Sequence, residues 1–173
     1  MRDSTQAEAS SPPTSKAGLH LKATKVEWDP KTKRFDVFLI DTGWNEPVSK
    51  MVRSHLPMYF GENNPDPLYI LTPEQSVALL KIAPELIGHD PSVVVYDLYS
   101  PPGKRKNKYR GFRLNLGLLK NASQALARLQ DFTRFVFMHR KSTCLESEIA
   151  RELHREGVDG MIKILRETST ELL

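Results

Sequence analysis

Asp41-Thr42-Gly43 follows the apolar run Val37-Phe38-Leu39-Ile40, so a carboxylate stands where a strand breaks into a turn. A carboxylate in that place could serve as a general acid or base. Hydrolysis by carboxylates that share a proton takes two of them, so one such triplet would need a second copy of the chain. The plainer expectation is a turn that Asp41 caps and Gly43 permits. A second stretch, Lys104-Arg105-Lys106-Asn107-Lys108-Tyr109-Arg110-Gly111-Phe112-Arg113, holds six cations in ten residues and no acid. Guanidinium forks suit phosphate, and Tyr109 and Phe112 would offer flat faces to a base. The pattern predicts contact with nucleic acid or an acidic protein surface, with an affinity that falls steeply with salt. A solvated edge loop is the alternative. The histidines His20, His55, His89, His139 and His154 are scattered, and the single Cys144 completes no zinc set. No metal or cofactor is expected, because phosphate-binding glycine loops and the G-x-S-x-G elbow are missing.

These residues need elements to hold them. Phe35 to Ile40 is too continuously apolar for a sheet with one wet face, which predicts a central strand covered on both sides. Leu19 to Trp28 alternates roughly and predicts a hairpin with that strand through Asp29-Pro30-Lys31-Thr32-Lys33. A helix from about Glu46 places Val48, Met51, Val52, His55, Leu56 and Tyr59 on one face, with Pro57 near its end. After a short strand at Leu68–Leu71, Thr72-Pro73-Glu74-Gln75 combines an N-cap, a first-turn proline and a capping-box glutamine. That helix is expected to carry Val77, Leu80, Ala83 and Ile87 inward. Val93 to Tyr99 and Tyr109 to Leu116 read as an antiparallel pair, followed by a long amphipathic helix from Asn121 to about Met138. Two further helices are expected, one with Leu145, Ile149 and Leu153, the last with Val158, Met161, Ile162 and Leu165.

The 173 residues allow one domain with tails. A formal charge of +4 is modest, so the placement of cations matters more than their number. One cysteine excludes an internal disulfide and fits a reducing compartment. No apolar run approaches the length of a membrane span, and the Ser-, Thr- and Pro-rich residues 1–18 lack the apolar core of a signal peptide. Cytoplasm is the expected location, without membrane contact. Residues 1–18 read as a disordered tail, 19–140 as the α/β domain, and 141–173 as a helical appendix through which copies of the chain could associate.

From Phe35 onward the order β-α-β-α-β-β-α is that of the thioredoxin fold. Trp44-Asn45-Glu46-Pro47-Val48-Ser49-Lys50-Met51 resembles the family's W-C-x-P-C-K-M stretch at the head of its first helix. Asp90-Pro91-Ser92-Val93 resembles the place of its cis-proline, and the resemblance runs from about Phe35 to Met138. It implies a thioredoxin-like sandwich with an added N-terminal strand and C-terminal helices. It also implies a cleft near Asp41, Trp44, Pro47 and Pro91 that could grip an extended peptide. Asn45 and Val48 stand where the family has its two cysteines, so no dithiol exchange is implied. A Rossmann-like open sheet is the competing architecture. Asp41-Thr42-Gly43 also resembles the aspartic-protease loop, but those enzymes are all-β and Trp44 replaces the small residue that follows the glycine. Glu148 to Val158 faintly resembles a helix-turn-helix, with Ala150 and Gly157 seven apart where that family has four. The leading expectation is therefore a non-catalytic module that binds polyanions through Lys104, Arg105, Lys106, Lys108, Tyr109, Arg110, Phe112 and Arg113. A redox-inactive interaction scaffold comes second, and a hydrolase using Asp41 third.

Overall fold

Phe35–Ile40 forms β1, the second of five strands in the sheet. The computed structural model describes residues 32–99, 108–156 and 161–166. Around β1 stand β2 (Leu68–Ile70), β3 (Ser92–Asp97), β4 (Tyr109–Asn115) and β5 (Ile162–Arg166), in the order β2-β1-β3-β4-β5. β1 and β2 run parallel; the other neighbours are antiparallel. The helices are α1 (Glu46–Tyr59), α2 (Pro73–Ile82), α3 (Ala122–Met138) and α4 (Leu145–Glu156). The chain is thus an α/β protein with a mixed sheet. No helix among the described residues is long and apolar enough to cross a membrane.

The two faces of the sheet are covered unequally. Phe35, Val37 and Leu39 of β1 join Val93, Val95, Phe112 and Leu114 under α1, α3 and α4, and this is the main core. Helix α1 contributes Val48, Met51, Val52 and Leu56 at helical spacing, and it ends two residues after Pro57. His55 is half-buried and bonds within its own helix. The opposite face has a smaller cluster, where Ile40, Val94 and Leu86 meet residues of α2 and the short 3₁₀ turn Pro84–Leu86. The expected capping box starts α2: the Thr72 hydroxyl accepts the Gln75 N–H, and the Gln75 side chain accepts the Thr72 N–H. Its inward stripe differs from expectation. Val77 and Ile87 are exposed, and Ser76 is the buried residue of the helix.

Two expectations are corrected. Met161 to Leu165 does not continue a last helix; Ile162–Arg166 is β5, hydrogen-bonded to β4. So short an apolar segment fits helical and strand periods alike. Its β-branched isoleucines and the open edge of β4 decide the outcome. The proposed hairpin partner of β1 has no edge to occupy, because β2 and β3 flank β1 on both sides. Residues 19–28 themselves lie outside the described residues, as do residues 1–18.

At the start of β1 the core closes over charge. Arg34 is fully buried and grips Asp97 with two bonds, Nε to Oδ1 at 3.1 Å and Nη2 to Oδ2 at 3.0 Å. Tyr109 donates its hydroxyl to the same carboxylate, and burial, helped by the Asp97 charge, pushes its phenol well above the usual range. Asp66 accepts the Arg34 and Phe35 N–H groups and is clamped by Arg140 Nε at 2.8 Å. Burial alone would raise the Asp66 carboxyl, but Arg140 and the two backbone donors outweigh it and hold it below the ordinary 3.8. A lowered carboxylate stabilises the fold above its unfolded pKa and stops doing so as pH falls through its folded pKa. Asp66→Asn should therefore cost about 1.5–3 kcal/mol at neutral pH, the range for a bond to a charged group. In urea titrations repeated across pH, the gap between wild type and variant should be level near neutrality and shrink below pH 3.8.

Candidate interaction site

Three chain segments converge where β1 ends, β3 begins and β4 ends. Asp41 closes β1 and is fully buried. Its Oδ2 accepts Ser49 Oγ at 2.5 Å and Arg53 Nε at 2.6 Å, and its Oδ1 accepts the Gly43 N–H at 2.9 Å. The Asp41 N–H donates to Ser76 Oγ, which explains why α2 buries a serine there. Arg53 also reaches the carbonyls of Asp41 and Leu71. Both carboxylate oxygens are engaged and neither faces solvent, so Asp41 acts as an anchor between β1, α1 and α2. The hydrolase expectation needs an open carboxylate, and this one has no face for a substrate.

Gly43 takes a φ of +84°, a left-handed turn that costs a glycine little. The turn carries Trp44 to the surface, where the residue is 57% exposed. The ring is held in place: Nε1 donates to the Asp90 carbonyl at 2.6 Å and to Asp90 Oδ1 at 3.1 Å. Asp90 is buried, and its Oδ2 accepts the Thr42 N–H and hydroxyl at 2.9 and 2.6 Å. One carboxylate thus fastens the turn after β1 to the segment before β3. The Asp90-Pro91 peptide is cis. Pro91 is buried, with its carbonyl accepting the Leu116 N–H, so its backbone forms the floor of the site while its ring offers no exposed grip. Asn45, the residue before α1, donates to the Leu119 carbonyl at 2.8 Å and so secures the third segment. Gly117 packs so tightly that a Cβ would lie 2.3 Å from the Asp90 carbonyl oxygen. Trp44, Ile87 and Leu118 are each more than half exposed, and Pro47 is exposed as well.

The basic stretch is divided. Lys104, Arg105 and Lys106 lie outside the described residues, and Lys108 and Arg110 are half-exposed. Tyr109 and Phe112, expected as stacking platforms, are core residues at 6% and 1% exposure. Phe112 packs edge-on against Phe132 with ring centres 5.4 Å apart, and Tyr109 is committed to Asp97. Gly111 between them admits no side chain, because a Cβ would meet the Val95 carbonyl oxygen at 2.1 Å. Arg113 is also buried. The reason is position: β4 is an interior strand between β3 and β5, so its residues belong to the two cores. No group of three His, Cys, Asp or Glu side chains among the described residues could hold a metal.

Thr42, Ser49 and Asp90 stand inside the quoted sequence motifs without a role of their own, and Arg53 lies outside them. Ser49 and Arg53 carry a faint signal, being polar residues four apart on a helix whose neighbouring stripe is apolar. Asp90 gives none locally, since its partners are 46 and 48 residues away. Compared with protein-family models, curated proteins and solved structures, the chain matches none.

If Asp41 is an anchor, Asp41→Asn should destabilise the fold by about 2–3 kcal/mol. That is less than the cost of breaking a fully buried pair, because Arg53 reaches water. A double-mutant cycle with Arg53→Met in urea should recover most of the loss as coupling between the two residues.

Proposed function

We propose that this chain is a protein-interaction module of thioredoxin-like architecture, without dithiol chemistry, that holds a partner's apolar segment at the Trp44 end of its sheet. The observation that carries this reading is the exposed Trp44 ring, fixed by hydrogen bonds over the segment that precedes β3. A large ring presented in one orientation loses little entropy on binding, and tryptophans of this kind dominate the energy of many interfaces. The β-α-β-α-β-β-α order from β1 to α3 supports the family resemblance. So does the meeting of its two motifs, the Trp44–Pro47 stretch and Asp90-Pro91, at one place. The chain's single cysteine, Cys144, lies in the turn before α4 and not in this motif, which fits binding without thiol exchange. Polyanion binding is the competing reading. Among the described residues it rests on Lys108 and Arg110 and lacks the two rings that were to stack.

The two readings separate in one experiment. Peptides selected from a random display library should bind the chain with little salt dependence, and Trp44→Ala should weaken them about 30-fold, the effect of a hot spot worth 2 kcal/mol. Binding that survives Trp44→Ala would overturn the proposal. Fluorescence anisotropy with a labelled single strand and a duplex forms the second arm. An affinity there that falls by several log units per log unit of salt would move the function to the basic stretch.

A further inference from the structure

The last turn of α1, the loop after it and the end of α3 enclose an open groove of about 630 Å³. Its apolar wall is exposed, with Met58 at 76%, Met138 at 71% and Phe137 at 40%. Phe137 is backed by the ring of Phe60, 5.4 Å away between centres. Glu62 and Asn63 stand exposed on the loop, so the rim carries hydrogen-bond acceptors beside the apolar wall. Large apolar side chains exposed together within a polar rim mark a contact surface. The groove lies at the opposite end of α1 from Trp44.

Arg140, which also lines the groove, indicates what covers it. Its Nε and Nη2 clamp Asp66, and Nη2 donates as well to the Thr32 carbonyl. Two residues further on, Arg34 is fully buried. The chain entering β1 is therefore fastened at the rim of the groove. Trp28, outside the described residues, precedes Thr32 by four positions, no more than roughly 14 Å of extended chain. Between them Asp29-Pro30 favours a turn, which shortens that path. Both edges of β1 are taken, so an apolar side chain just upstream needs another surface.

We propose that Trp28 of the same chain seats in this groove against Met58, Phe137 and Met138, so that the segment before β1 closes the apolar surface between α1 and α3. A tryptophan suits a site that is apolar on one wall and polar at its rim, because its ring gains from burial and its N–H needs an acceptor. The two methionines adapt to the ring and make favourable sulfur–aromatic contacts. With Thr32 already held by Arg140, the contact is intramolecular and has the effective concentration of a short tether.

The test is tryptophan fluorescence of the whole chain. Trp28 and Trp44 are its two tryptophans, so subtracting the spectrum of Trp28→Phe from that of wild type isolates Trp28. Its emission should be blue-shifted from that of a peptide of residues 19–31 and several-fold less quenched by acrylamide. Met58→Glu combined with Met138→Glu changes two exposed positions and leaves the core in place. In that background, subtracted in the same way, both readouts should move to the peptide's values. Thermal unfolding supplies a second measure: Trp28→Ala should lower Tm by several degrees in wild type and leave it unmoved in the double-glutamate background. Peptide-like emission in the wild-type chain would overturn the proposal. So would a blue shift that survives the two glutamates, or an equal loss of Tm in both backgrounds, because Trp28 would then pack elsewhere. A blue shift lost on dilution would also overturn it, by assigning the groove to the tryptophan of a second copy.

Discussion

Arg34 ties together distant parts of the chain. Its guanidinium closes on Asp97 at the end of β3, bonds the carbonyl of Arg140 beyond α3, and sits over the rings of Phe35 and Tyr99. Its own N–H is held by Asp66, which Arg140 clamps from the other side. A fully buried ion pair has a large desolvation cost and contributes net stability only when its remaining donors are satisfied. Here they are satisfied by backbone and carboxylate, and the geometry they require fixes where β1, β3, β4 and the end of α3 stand relative to one another. The register that places Phe35 opposite Asp97 follows from it.

The other end of β1 uses the same device with different consequences. Asp41 and Arg53 lock the strand to α1 and α2, and Asp90 locks the following turn to the segment before β3. Because each lock uses a carboxylate that is out of water, the turn has few alternative conformations of similar energy. Trp44 gains its fixed orientation from that rigidity. An exposed tryptophan is ordinary by itself; this one is held at 2.6 Å by a buried segment.

Strands β1 to β4, α1, the capped α2 and α3 were legible in the sequence because each rests on local patterning and local capping. Thr72 and Gln75 are three residues apart, and Val48, Met51 and Val52 lie within two turns. What escaped was decided at long range. The edge offered by β4 turned Ile162–Arg166 from helix to strand, and burial from both faces took Phe112 and Arg113 out of the solvated hairpin their composition suggests. A run of cations reads as surface because lysine and arginine usually are. Alternation within that run, with Tyr109, Gly111 and Phe112 between charges, was the sign that a strand begins before the charge ends. The two motifs taken from the thioredoxin resemblance came to one place, yet the residue that joins them, Asp90, bonds across nearly fifty positions and is invisible to any local pattern.

The distribution of satisfied and unsatisfied groups then separates scaffold from surface. Asp41, Asp66, Asp90 and Asp97 are each buried and each bonded by at least two donors. Against that standard, four buried side-chain atoms among the described residues lack a hydrogen bond: Asp36 Oδ1 and Glu148 Oε2, which lie against Lys33 and His139, and His89 Nδ1 and Arg113 Nε. A fold that bonds four carboxylates so thoroughly has no difficulty placing donors and acceptors where its own stability needs them.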